Sequence, residues 1–324
     1  MPSIETAAAV LFAVALVHTF STKFFERLAH RHPRHAGLFH LLGEVEVVFG
    51  FWAIVLVGAM ALADGPGHAI AYAESRQFTE PLFVFVVMVV AASRPVVETI
   101  QAAVAAAARR LPTRTVVAKV WLCLGMIPLV GSLITEPAAM TLAALMLAPL
   151  VFRQGIPEPL KYGALGVLFV NISIGGTLTA YAAPPVLMVA DAWNWNSAFM
   201  LQTFGWKSAL AVLFNASVVA ALLRRHLADE VADEVMPDAG AQPRLPAWVA
   251  LIHLGFLAAV VVLAHHPVMF IGAFMLFLGF TQAYARYQSP LILKEALLVG
   301  FFLSGLVVLG GMQQWWLQPI VTPD

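Results

Sequence analysis

Charge is scarce in this chain. Asp, Glu, Lys and Arg make up 11% of its 324 residues against 61% hydrophobic ones, where soluble domains carry about 25% charged residues. That shortage, with a mean hydropathy of +0.85, excludes a soluble domain and points to an all-α polytopic membrane protein. The 18 basic and 18 acidic residues cancel, and no tail of one sign offers a surface to nucleic acid. Cysteine is nearly absent. The lone Cys123 excludes an internal disulfide and any cysteine-rich zinc site. No GxxxxGK phosphate loop occurs, so an ATP-driven pump would need a separate subunit. GxSxG, HExxH and paired intramembrane aspartates are missing too, which argues against an intramembrane enzyme, and no cofactor is expected. The first apolar run, Ile4 to Phe20, has no positive residue before it. A cleavable signal would carry one, so this run reads as a retained span.

Long apolar runs are what the chain does have. A spanning helix needs about 20 such residues, which places spans near 4–21, 37–63, 81–108, 197–223, 246–264, 267–287 and 291–312. Two regions break the pattern. In 115–152 the second arm is short and the turn has no exposed loop, which suits a re-entrant helical hairpin with Thr135-Glu136-Pro137 at its tip. The region 160–192 is too long for one straight span and carries Gly175-Gly176 and Pro184-Pro185, so it reads as two half-helices joined by an unwound crossing. Irregular backbone is tolerated at membrane depth only where protein or a watery cavity surrounds it. Two such interruptions close together are the pattern of a substrate site in a secondary transporter.

Lys and Arg gather in cytoplasmic loops. If the hairpin returns to its own side, 15 of the 18 basic residues fall on one side. The amino terminus is then outside, the hairpin opens to the cytoplasm, and the protein sits in the plasma (inner) membrane. The basic connector that carries His30, His32, His35 and His40 also carries Arg27, Arg31 and Arg34. Those cations oppose a divalent metal there. The chain divides into a first repeat, 1–225, a polar cytoplasmic linker, 226–245, and a partial second repeat of three spans, 246–324. Three spans start the first repeat from outside and three start the second from inside, an inverted repeat. The second half ends at Asp324, where its own hairpin is expected, so the chain reads as an incomplete transporter fold.

Ser132 to Leu147, followed by Asn171 to Met188, resembles the first-repeat signature of the ion transporter superfamily. That group holds sodium/proton antiporters, arsenite exporters and sodium-coupled dicarboxylate carriers, and the sodium/proton antiporter branch is the best match. The motif covers roughly residues 112–193, and its GGTLT-then-Pro-Pro element is fairly specific. Many relatives have Asp-Asn or Ser-Asn-Thr at the hairpin tip, where this chain has Glu136-Pro137. Ser173 stands where relatives often have Asn, and Val186 follows Pro-Pro where Asn is common. The resemblance implies secondary active ion transport, sodium for protons, by alternating access. The alternatives are a sodium-coupled carrier or exporter of a small anion, carboxylate or arsenite, and a non-functional fragment of such a transporter. Relatives form homodimers, so a second copy joins the lipid bilayer as a partner to test.

The expected ion-binding and coupling set is Glu136 with Ser132, Thr135, Thr141, Asn171, Ser173, Gly175, Gly176, Thr177 and Thr179. A bare carboxylate is costly at membrane depth, so Glu136 is expected to be protonated, paired or cation-bound. The competing reading makes it a cap on the adjoining half-helix. A sodium site is expected at Glu136, Thr177 and Thr179, whose oxygens are of the hard type such a cation prefers. Glycine frees the backbone, while Pro137, Pro184 and Pro185 keep the helices broken. Glu44 and Glu46 in the second span, and Arg94 and Glu98 in the third, are the further intramembrane charges. Arg94 and Glu98 are four apart and read as a structural ion pair, with a proton relay as the other reading for these carboxylates. Lys207 lies inside 197–223 without an identifiable partner.

Overall fold

The computed structural model describes residues 4–132, 136–180, 182–183, 186, 189–190, 193–227 and 243–321, with backbone alone at 137, 138 and 318–321. Every regular element among them is helical. In chain order they are α1 (Ile4–Phe20), α2 (Thr22–Arg31), α3 (Ala36–Gly43), α4 (Val45–Ala63), α5 (Pro66–Glu74), α6 (Thr79–Ala91), α7 (Arg94–Ala108), α8 (Thr115–Leu124) and α9 (Met126–Gly131). There follow α10 (Glu136–Val151), α11 (Glu158–Gly175), α12 (Ser197–Met200), α13 (Trp206–Leu223), α14 (Ala247–Val262), α15 (Pro267–Ala283), α16 (Leu293–Gly310) and α17 (Gln314–Val321).

Val45–Ala63, Glu158–Leu178, Ser197–Leu223 and Leu293–Gly310 are each long and apolar enough to cross a bilayer. Hydrocarbon offers no partner to an open backbone, so runs of this kind must fold as helix. Two bent pairs, α1 with α2 and α6 with α7, pass the same test jointly, giving up to 6 spans among the described residues. The protein is an all-α integral membrane protein.

Two expected spans are interrupted. The run 37–63 breaks at Glu44, whose backbone is extended at φ −78° and ψ 116°. Glu44 and Glu46 therefore stand at the amino-terminal turn of α4, at the end of a span and not within it, where the helix dipole favours acidic groups. The run 81–108 bends by 66° between α6 and α7. Ser93 is extended there, φ −64° and ψ 143°, and Pro95, which lacks an N–H, cannot carry the helical hydrogen-bond ladder back into α6. This places Arg94 and Glu98 in the first turns of α7, beside a bend, and not inside a straight span.

Compactness divides the chain into two units, 1–85 with 293–324, and 86–292. The expected halves, 1–225 and 246–324, are a pattern in sequence and do not coincide with these units. In the first unit α4 packs closely on α16. A Cβ at Gly305 would strike the backbone of Phe49 and Gly50, and the Phe301 ring covers Gly50. Lipid tails are as apolar as leucine, so helices in a bilayer associate through such close approach and not through hydrophobic drive. His18 ties α1 to the α3–α4 break. Trp52 Nε1 donates to its Nδ1 at 3.0 Å, which leaves Nε2–H to donate to Leu42 O at 2.8 Å.

The second unit holds the two irregular regions. The stretch 115–152 folds as a hairpin whose arms are α8 with α9, and α10. Gly131 faces Ala139 across it, and Leu124, Leu142 and Leu147 share its core with Leu168 of α11 and Leu223 of α13. The tip residue Thr135 lies outside the described residues, as does the side chain of Pro137. Beyond α11 a single tight turn, Gly176–Leu178, leads to Thr179 in extended backbone, φ −123° and ψ 162°. Pro184 and Pro185 also lie outside the described residues.

Candidate functional site

The end of α11 meets the hairpin turn. Ser132, buried after α9, donates its hydroxyl to Gly175 O. Thr179 Oγ1 donates to Ser132 O at 2.6 Å, and the Glu136 amide donates to Ala182 O at 3.3 Å. These three bonds join one irregular stretch to the other, and they satisfy backbone groups that the two helix breaks leave open.

Both glycines are demanded by close approach. A Cβ on Gly175 would sit 2.7 Å from the Pro128 carbonyl oxygen, and one on Gly176 would sit 2.6 Å from Glu136 Oε1. The Glu136 carboxyl is half-buried in the first turn of α10, against the backbone where α11 ends. That position suits a helix cap as well as an ion ligand. Thr177 Oγ1 donates to Ile174 O at 2.7 Å and lies 2.7 Å from Ser208 Oγ, which joins the break to α13. Each of these hydroxyls spends its proton on the protein and keeps acceptor lone pairs. The arrangement is a set of neutral oxygens with one carboxylate.

Other expected members stand elsewhere. Asn171 is fully buried and serves as a clamp. Its amide donates to Leu124 O at 2.7 Å and to Val212 O at 3.2 Å, and its Oδ1 accepts from Asn215 Nδ2 at 3.0 Å. Ser173 is exposed. Two residues along a helix is about 200° of rotation, so it cannot share the face of Asn171 and Gly175. Thr141 is exposed on α10. Arg94 Nε pairs with Glu98 Oε1 at 2.5 Å, and Arg94 Nη2 donates to Pro243 O at 3.2 Å. Lys207 is exposed on α13, 5.6 Å from the centre of the Trp206 ring. Among the described residues no group of three or more His, Cys, Asp or Glu is placed to hold a metal ion.

Sequence reading missed Ser208 and Asn215. They are seven apart, two turns of one helix face, and polar in an apolar span. That signal was available. Their partners, Thr177 just beyond α11 and Asn171 within it, could be found only in three dimensions.

The described residues thus form an all-α membrane protein with a polar junction where the hairpin meets the end of α11. The family described as "Putative Na+/H+ antiporter" matches residues 3–323, and the chain belongs to that family. Membership points to ion transport rather than to enzymatic catalysis. No curated protein and no solved structure matches the chain.

Proposed function

We propose that this protein exchanges sodium for protons by alternating access, with Glu136 as the coupling carboxylate at the junction of hairpin and broken helix. One observation carries the reading. The Glu136 carboxyl lies against Gly176, close enough that a Cβ there would come within 2.6 Å of its oxygen. The site's titrating group thus touches the backbone whose helix ends at the same place. A bound sodium ion favours the charged carboxylate and burial favours the neutral one, so one group can hold either ion in turn. Thr177, Thr179 and Ser132 supply neutral oxygens around it.

On this reading the hairpin 115–152 is re-entrant, its tip ending within the membrane, and the spans of 246–324 repeat those of the amino-terminal half upside down. The amino terminus faces outward, because the positive residues then lie inside.

The test is a pH-gradient dequenching assay in everted vesicles containing the protein, with sodium, lithium, potassium and candidate anions added in turn. Sodium-driven dequenching supports the proposal. A response to a carboxylate or arsenite, with none to sodium alone, replaces it with anion transport.

A further inference from the structure

Six arginines converge at one end of the second unit. Arg109 and Arg110 follow α7, Arg114 precedes α8, Arg153 follows α10, and Arg224 and Arg225 follow α13. The fold brings them together through the carboxyl terminus of α13. Arg114 Nη1 donates to Arg224 O at 2.8 Å, and Arg114 Nη2 to Leu227 O at 2.8 Å. Arg153 Nη2 reaches His226 O at 3.4 Å. Two guanidinium groups therefore bind the open carbonyls of a helix end, where the dipole favours cations.

Among the described residues nothing compensates the remaining charge. Arg109, Arg110, Arg224 and Arg225 are exposed, and their side chains take part in no hydrogen bond or ion pair among the described residues. Glu158, five residues beyond Arg153, is already held by Lys161 at 2.7 Å. Exposed apolar side chains flank the cluster, Phe152 at 39% and Leu222 at 56%. Four exposed guanidinium groups at the ends of α7 and α13, with apolar flanks, match a phosphate headgroup with acyl chains beside it. Arginine forks bind phosphate oxygens in pairs, and juxtamembrane clusters of four to eight basic residues draw anionic lipid.

We propose that this arginine cluster is a docking surface for the phosphate headgroups of anionic membrane lipids. Lipid held there bridges the bases of the hairpin, of α7 and of α13, so it fastens the unit that carries the candidate site. The surface is separate from Glu136, and its test does not depend on what the protein transports.

The full chain, purified in neutral detergent, is titrated with phosphatidylglycerol, with phosphatidylcholine and with inorganic phosphate while thermal unfolding is followed. Phosphatidylglycerol is expected to raise the unfolding temperature, and the other two are not. In the R109Q/R110Q/R225Q variant the apparent affinity falls about a hundredfold, at about fivefold per arginine removed. Those side chains bond to nothing described, so the variant folds, and its unfolding temperature without lipid reports this directly. High salt weakens the wild-type response. An equal shift in the variant overturns the proposal, as does an equal shift from inorganic phosphate. A lipid response that emerges only after Asp229, Glu230, Asp233 and Glu234 are neutralised also overturns it, since the acidic linker is then the occupant.

Discussion

Glu136, Gly175 and Gly176 separate coupling from architecture at the scale of single residues. If Glu136 couples the ions, Glu136→Gln abolishes exchange while the protein still folds, because the amide keeps the shape and loses the charge. Glu136→Asp keeps part of the activity. Both are read by dequenching in everted vesicles, with folding checked by size exclusion in detergent. Normal sodium-driven flux in the Gln variant would reduce Glu136 to a cap on α10. The two glycines should fail differently. Gly175→Ala drives a methyl into the Pro128 carbonyl, which is backbone and cannot step aside, so it costs stability of about 1–3 kcal/mol. Gly176→Ala presses on the end of the Glu136 side chain, which can turn away. It should therefore lower exchange more than thermal stability. Measuring both quantities on both variants decides the matter. Asn171→Ala leaves two buried carbonyls, Leu124 O and Val212 O, without their donor. It should cost about 1–3 kcal/mol in thermal unfolding, with apparent sodium affinity unchanged in what folds.

Breaks decide more than the helices themselves at the scale of elements. Gly-Gly and Pro-Pro were visible in 160–192, and α11 does end at Gly175. The break at Glu44 and the bend before α7 have no comparable mark in the sequence beyond the single Pro95. An isolated proline in an apolar run is compatible with a kinked span, and only packing sets how far the chain turns. The bend changes what Arg94 and Glu98 can do. Their pair has Glu98 at 40% side-chain exposure, and partly exposed pairs contribute about 0–1 kcal/mol. Glu98→Gln should thus shift unfolding by less than about 1 kcal/mol and leave exchange intact. A collapse of proton flux in that variant would restore the relay reading.

At the scale of the whole molecule, orientation is the quantity to measure. Cysteines introduced singly at positions 233 and 265, with Cys123 replaced, should label oppositely in intact cells. An impermeant reagent added outside should reach 265 and spare 233. Labelling of 233 from outside reverses the orientation and moves the arginine cluster to the other leaflet. Close packing of α4 on α16 gives a second measurement. Gly305→Leu has no side chain to displace, since backbone of Phe49 and Gly50 occupies the space, so folded protein recovered from membranes should fall sharply.

The residues alone were enough to set the solvent, the helical class and the family. A chain with so few charges and such long apolar runs must bury its backbone polarity within helices, whatever its neighbours are. The same local chemistry marked the hairpin and the end of α11, since glycine and proline act on the residues beside them. Tertiary structure alone decided which of the marked residues meet. It set Asn171 as a clamp and Ser173 outward, although both lie in the same motif, because helical rotation and the positions of α8 and α13 govern facing. It also brought Ser208 to Thr177 and Arg114 to the end of α13, contacts between residues 31 and 110 positions apart. Spacing along the chain carries no information about pairs at that separation, because the packing of whole helices sets their distance.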